Sequence, residues 1–156
     1  MAAVASSSYR AAFAAILDEA ELARRDAASF VPRFAAHREQ MRVAEAGGRV
    51  VGFSLTTGAH LDMLFIDPAA QGSGAGRALL AEAVARGVRS LECFRANTVA
   101  RRFYARAGWV VTRGYSRAFA GRVHAFVFYE RDANDVRAGD AACKLDLPMK
   151  EGKSGA

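Results

Sequence analysis

The stretch Leu61-Asp-Met-Leu-Phe-Ile-Asp-Pro-Ala-Ala-Gln-Gly-Ser-Gly-Ala-Gly-Arg-Ala-Leu-Leu80 decides how the rest of the chain is read. An apolar, strand-like run from Leu61 to Ile66 is stopped by Pro68, passes through Gly72, Gly74 and Gly76, and enters an amphipathic helix at Arg77. Glycine permits positive φ and close approach of the backbone to a ligand. The first amides of the following helix have no partner inside it, and the helix dipole favours negative charge there. The arrangement suits a phosphate or pyrophosphate.

Spacing narrows the ligand. A Walker loop needs Gly-Lys followed by Ser or Thr, whereas Gly76 is followed by Arg77 and Ala78. A dinucleotide fingerprint needs its third glycine at position 77, which is arginine; Glu92, some twenty residues on, keeps that reading as a rival.

The 156 residues, 52% of them hydrophobic, fit one globular domain. No apolar run approaches the ~18 residues of a membrane span, and the start lacks a signal peptide's basic and long apolar regions. A soluble, cytoplasmic protein without membrane contact is expected. Cys93 and Cys143 form neither a disulfide framework nor a metal spacing, so reduced thiols and no metal are expected. The net charge of +6 is carried mostly by arginine, which suits planar phosphate groups. The basic residues are scattered without an interleaved aromatic stripe, which argues against nucleic acid.

Upstream, residues 1–8 read as a flexible N-terminus. Tyr9, Phe13, Ile16 and Leu17 recur at helical spacing, and a second helix runs from about Ala27 to Gln40 with Phe30, Val31, Phe34 and Ala35 on one face. Strand-like runs 42–46 and 49–56 flank Gly47-Gly48, a hairpin signal, and a further turn at 57–59 leads into strand 60–67. The helix after the glycine turn presents Leu79, Leu80, Ala83 and Val84 and stops at Gly87. A strand over 89–94 follows, and right-handed crossover makes it parallel to strand 60–67. Asn97 caps a helix whose inner face is Val99, Ala100, Phe103 and Tyr104, and a hairpin of 109–118 with 123–131 turns at Ala120-Gly121. One domain over 9–132 is therefore followed by a polar, disordered tail over 133–156.

Two motifs carry a resemblance. Gln71-x-x-Gly74-x-Gly76 after a strand ending Ile66-Asp67-Pro68 resembles the acetyl-CoA pyrophosphate loop of the GNAT superfamily of N-acetyltransferases. The run Asn97-x-x-Ala100-x-x-Phe103-Tyr104-x-x-x-Gly108-Trp109 is similar to its second signature. The element order over roughly 9–131 looks like that fold, except that a first strand before the first helix is missing. The resemblance implies an α/β (α+β) fold: a mixed, mostly antiparallel sheet, a central parallel strand pair splayed around the cofactor, and flanking helices. It implies acetyl-CoA as co-substrate and an amine acceptor. Backbone groups of Leu64, Phe65 and Ile66 would pair with the pantetheine arm, and the amides of Gln71, Gly72, Ser73, Gly74, Ala75, Gly76 and Arg77 would hold pyrophosphate. Asn97 would hydrogen-bond the cofactor, Phe103 would pack on it, and Tyr104 would sit near its sulfur.

Transfer of an acetyl group to an amine needs a proton for the departing thiolate and an acceptor for the amine's proton. Tyr104 is the candidate acid, and nearby arginines are expected to lower its pKa. Period-two alternation places His60, Asp62 and Leu64 on one strand face, making His60 and Asp62 candidate bases, with Glu92 a third. No cysteine falls within the motifs to carry an acyl group, so transfer would be direct. A CoA-binding module without catalysis and a basic nucleic-acid-binding domain are the alternatives. The acceptor, the base and the oligomeric state, a homodimer included, stay open.

Overall fold

The structure is a computed structural model; it describes residues 1–133 and the backbone of Lys150–Glu151. The tail expected over 133–156 therefore lies, but for Ala133 and that pair, outside the described residues. Three helices come first: α1 (Ala2–Phe13), α2 (Glu19–Arg24) and α3 (Ala27–Ala36). Strands β1 (Met41–Ala46), β2 (Arg49–Thr57) and β3 (His60–Ile66) form a meander. Helix α4 (Ala75–Ala85), strand β4 (Ser90–Phe94), helix α5 (Thr98–Arg106) and the hairpin β5 (Val110–Phe119) and β6 (Arg122–Glu130) complete the domain. The sheet order is β5-β6-β4-β3-β2-β1-β7, where β7 is the pair Lys150–Glu151 antiparallel to Arg42 and Val43.

Local chemistry sets these boundaries. Gly47 and Gly48 (φ 57° and 76°), and Ala120 and Gly121 (φ 55° and 77°), supply the consecutive left-handed pairs that two-residue hairpin turns require. Asp18 and Asp26 cap α2 and α3 by accepting from the amides of Glu21 and Ser29, both at 2.9 Å. Helix α4 closes on Gly87 at φ 101°, as the sequence implied.

Every sheet connection is antiparallel except β3 with β4, which pair in parallel only at His60 with Ser90 and Leu61 with Leu91. Beyond Leu61 the two strands part. A bulge accompanies the parting: Leu61 faces Thr56 and Met63 faces Leu55 across β2, so Asp62 has no opposite residue.

The sheet buries a core on each face. On the front, Tyr9 of α1 and Phe30 and Phe34 of α3 pack on Met41, Phe53, Leu55, Phe94 and Phe126. On the back, Leu80 and Ala83 of α4 and Tyr104 of α5 pack on Leu61, Leu91, Val127 and Tyr129.

Several expectations are corrected. Residues 2–8 are not a loose leader but the first turns of α1, with Val4, Ala5 and Ser8 buried against the domain. Small residues hid this, because a narrow apolar stripe of Val4, Ala5 and Tyr9 suffices where the helix lies close to its support. The missing first strand, by contrast, agrees with the sequence reading: the first strand in the chain is β1, and β7 occupies the sheet edge beside it. The helix assigned to 27–40 ends at Ala36, and its inner stripe is narrower than periodicity suggested: Phe30 and Phe34 are buried whereas Val31 and Ala35 are exposed. On α5, Val99 is 75% exposed, so it leaves the inner face that Tyr104 anchors. Helix α2 was not anticipated, although Asp18-x-x-Glu21 carries the spacing of a capping box.

Candidate active site

The divergence of β3 from β4 opens a cleft of about 1020 Å³ that passes between the two faces of the sheet. All the site residues singled out in the sequence line it: His60 and Asp62, Leu64 to Ile66, Gln71 to Arg77, Asn97, Phe103 and Tyr104. The glycine turn and the Asn97 motif, separated in sequence, thus meet because the β3-α4-β4 crossover carries α5 back beside the start of α4.

The turn leaves backbone donors open to the cleft. Gly72 and Gly74 adopt φ 81° and 89°, and Gly74 is the residue from which α4 starts. The amide of Ser73 is taken by the carbonyl of Ala70 at 3.2 Å, that of Ala75 is met by Ser73 Oγ at 3.4 Å, and that of Gln71 makes a long bond to Pro68. The amides of Gly72, Gly74, Gly76 and Arg77 have no acceptor among the described residues. At Gly76 a Cβ would lie 3.4 Å from Ile66 Cγ1 and 3.6 Å from Phe103 Cζ, so strand, turn and α5 come together there.

Along β3 the stretch from Met63 to Ile66 is paired with β2 but not with β4. Its second row of backbone donors and acceptors faces the cleft, an edge that an extended chain can join. The Ile66 carbonyl is engaged on the α1 side, accepting from Ser8 Oγ at 2.9 Å.

Tyr104 stands at the back of the opening, buried, its ring 5.3 Å from Phe103 and 5.8 Å from Tyr129. Burial, reinforced by neighbouring Cys93 and Tyr129, pushes its phenol well above the ordinary tyrosine value. The lowering by arginines expected from the sequence is not found: the groups that act on this phenol are its burial, Cys93 and Tyr129, all of which raise it. Cys93 also lines the cleft, which its mid-strand position had obscured, and burial raises its thiol to about 11. It is therefore protonated near neutrality and a poor nucleophile. Asn97 Oδ1 accepts from the Ala100 amide at 3.2 Å, so it caps α5 while lining the cleft.

The candidate bases lie on the front. His60 Nδ1 is 2.9 Å from Ser90 Oγ, and its ring stacks on Phe128 at 5.9 Å. Asp62 sits exposed at the bulge. The bulge also breaks the alternation assumed for this strand: Leu64 packs with Leu61 on the back and not beside His60 and Asp62, while Met63 and Phe65 join the front core. Glu92 is held by Arg117 Nη2 at 2.8 Å.

Sequence reasoning missed the front lining, which includes Phe13, Arg25, Phe30, Arg33, Arg117 and Phe119. The aromatic stripes of the first helices were visible, but nothing in their spacing distinguishes a core ring from one that borders a cavity.

The fold and this opening define the class of acetyltransferases built on a splayed central strand pair, and comparison with known proteins agrees. A family model described as the acetyltransferase (GNAT) domain matches residues 8–126, and the chain belongs to that family. Among solved structures, the chain is similar to the apo form of YjaB from Escherichia coli, with a TM-score of 0.69 and 27% identity over 83% of this chain and 87% of that one. It is also similar to a crystal structure from Rhodopseudomonas palustris described as a GCN5-related N-acetyltransferase, with a TM-score of 0.65 and 26% identity over 84% and 86% of the two chains. The PaiA N-acetyltransferase of Thermoplasma acidophilum, solved in complex with coenzyme A, shares the fold at a TM-score of 0.59 and 18% identity, over 83% of this chain and 89% of that one. A search of curated proteins finds no match. No helix among the described residues is long and apolar enough to cross a membrane.

Proposed function

We propose that this chain is an acetyl-CoA-dependent N-acetyltransferase that passes the acetyl group directly to a primary amine within a ternary complex. One observation carries the reading: the unpaired β3 edge, the free amides of the glycine turn and the protonated Tyr104 all open onto a single cleft. The edge of Leu64, Phe65 and Ile66 suits an extended arm bearing amides. The free amides of Gly72, Gly74, Gly76 and Arg77 suit a pyrophosphate, with Asn97 and Phe103 beside them. Bound acetyl-CoA supplies an activated acyl group as a thioester.

The chain's own residues manage the protons. As the amine nitrogen bonds to the acetyl carbon and the carbon–sulfur bond breaks, one amine proton passes to His60 or Asp62, directly or through water. Tyr104 gives its proton to the sulfur, so the products are an amide and a free thiol. The raised phenol pKa keeps Tyr104 in the donor form throughout the neutral range. A covalent detour through Cys93 is disfavoured by its protonated thiol.

The test joins calorimetric titration with CoA to single-turnover acetyl transfer across amino acids, small amines and peptide N-termini. Binding with transfer to at least one acceptor is the expected result. CoA binding with no transfer to any of them would instead mark a cofactor-binding module.

A further inference from the structure

The front half of the cleft brings rings together with cations that lack a carboxylate partner among the described residues. Phe13 of α1, Phe65 of β3 and Phe119 of β5 are half-buried and border the cavity, with buried Phe94 behind them. Phe94 meets Phe13 at 5.1 Å and Phe119 at 5.2 Å, both edge to face, so the rings form a continuous wall contributed by four elements. Aromatic walls of this kind favour a flat apolar group.

Charge adds a second constraint. Arg117 at this wall is answered by Glu92. Arg25, at the end of α2, and Arg33, on α3, also line the cleft, and neither has a carboxylate partner among the described residues. The Arg25 guanidinium lies 5.9 Å from the Tyr9 ring centroid, and that ring lies 4.7 Å from Phe13, so one ring separates cation from wall. A polyamine entering here would meet these cations and be repelled, whereas a carboxylate would be drawn to them.

We infer that the acceptor is an α-amino acid with an aromatic side chain, its ring on the Phe13–Phe94–Phe119 wall and its carboxylate held by Arg25 and Arg33. This rests on the transferase reading above. With ring and carboxylate so placed, the α-amine, attached to the same carbon as the carboxylate, stays inside the cleft that His60 and Asp62 also line.

The experiment compares acetyl transfer to L-phenylalanine, 2-phenylethylamine and spermidine, with CoA affinity measured in parallel. Phenylethylamine keeps ring and amine and lacks only the carboxylate. The expected kcat/KM for phenylalanine exceeds that for phenylethylamine by ~10-fold or more, the order of a hydrogen bond to a charged group, and the ratio falls toward one in Arg25→Gln/Arg33→Gln. Should the double variant fail to fold, Arg33→Gln alone is expected to reduce the ratio. Preference for phenylethylamine or spermidine, or a ratio that survives these substitutions, overturns the acceptor assignment and leaves the transferase standing. CoA binding without transfer to any amine overturns the transferase reading, and the assignment with it.

Discussion

The two faces of the sheet do different work with different parts of the chain. On the back and along the turn, the cleft-facing polar groups are mostly backbone: the β3 edge and the amides of Gly72, Gly74, Gly76 and Arg77. On the front they are side chains, rings and guanidinium groups drawn from α1, the end of α2, α3, β3, β4, β5 and β6. A backbone site demands a residue type at a fixed spacing, because glycine alone tolerates those φ values cheaply. A side-chain site assembled from so many elements demands no local pattern at all. The contrast leaves the turn fixed by backbone geometry and the front free to change without altering it.

The sharpest way to break this division is at Tyr104, the one side chain on the back proposed to act in the reaction. Tyr104→Phe retains the ring and its packing, so CoA affinity should persist while the single-turnover rate falls ~10²-fold. An unchanged rate would reduce Tyr104 to a packing residue. The raised phenol pKa also fixes the sign of its pH effects. Rate loss from Tyr104 ionisation should begin only above the ordinary tyrosine value of about 10. The unfolded chain releases this proton more readily than the folded one, so the stability tied to it is complete below about pH 10 and declines as pH rises beyond it. Thermal melts from pH 9 to 11 should show a smaller alkaline decline in Tyr104→Phe.

On the front, α1 supports the aromatic wall through Tyr9 and Phe13. Deleting residues 2–8 removes the buried Val4 and Ala5 together with the Ser8 bond to Ile66, a loss of about 2 kcal/mol or more from the apolar area and the hydrogen bond combined. For a domain of this size that corresponds to a fall in Tm of ~4–8 °C. A melting point within ~1 °C of the full chain's would return these residues to the loose leader that their composition suggested.

Gly74→Val separates backbone recognition from side-chain recognition. Valine at φ 89° is strained, and its bulk sits where α4 begins. CoA affinity should fall by at least ~10-fold, on the order of 1.4 kcal/mol. Calorimetry with unaltered affinity in a folded variant would remove the turn from the site. The smallest effect is expected at Arg117→Gln, where the partner Glu92 and the arginine itself are partly solvated. Exposed ion pairs contribute ~0–1 kcal/mol, so Tm should shift by at most ~4 °C. A larger drop would show that the cation–π contact of Arg117 over Phe126, at 4.1 Å, holds the hairpin in place.

What could be read in the sequence follows the same division. Gly74 and Gly76 at the start of α4 and Asn97 at the start of α5 were legible because helix starts follow local rules, Tyr104 stood out only through the resemblance, and the order of most elements followed from periodicity and turn residues. The bulge at Asp62 was not. It arises from strand pairing across β2, and the alternation rule alone put Leu64 on the wrong face. Val99 and Val31 were misplaced because helical spacing gives the direction of a stripe and not its width. Arg25 and Arg33 left no trace as site residues, since a cation on a helix surface has the same sequence signature whether it faces solvent or a cavity.

The seam between β3 and β4 has a mechanical consequence. With only His60–Ser90 and Leu61–Leu91 in register, the meander β1–β3 and the group β4–β6 meet at a short seam, joined otherwise by the crossover through α4 and by the front core that runs from Phe53 to Phe94 and Phe126. An extended ligand lodged in the opening would serve as a splint, bonding to the strand edge on one side and resting against α5 on the other. Occupancy would then be felt as stiffness along the seam, read as slower amide exchange in β3 and β4 when the opening is filled.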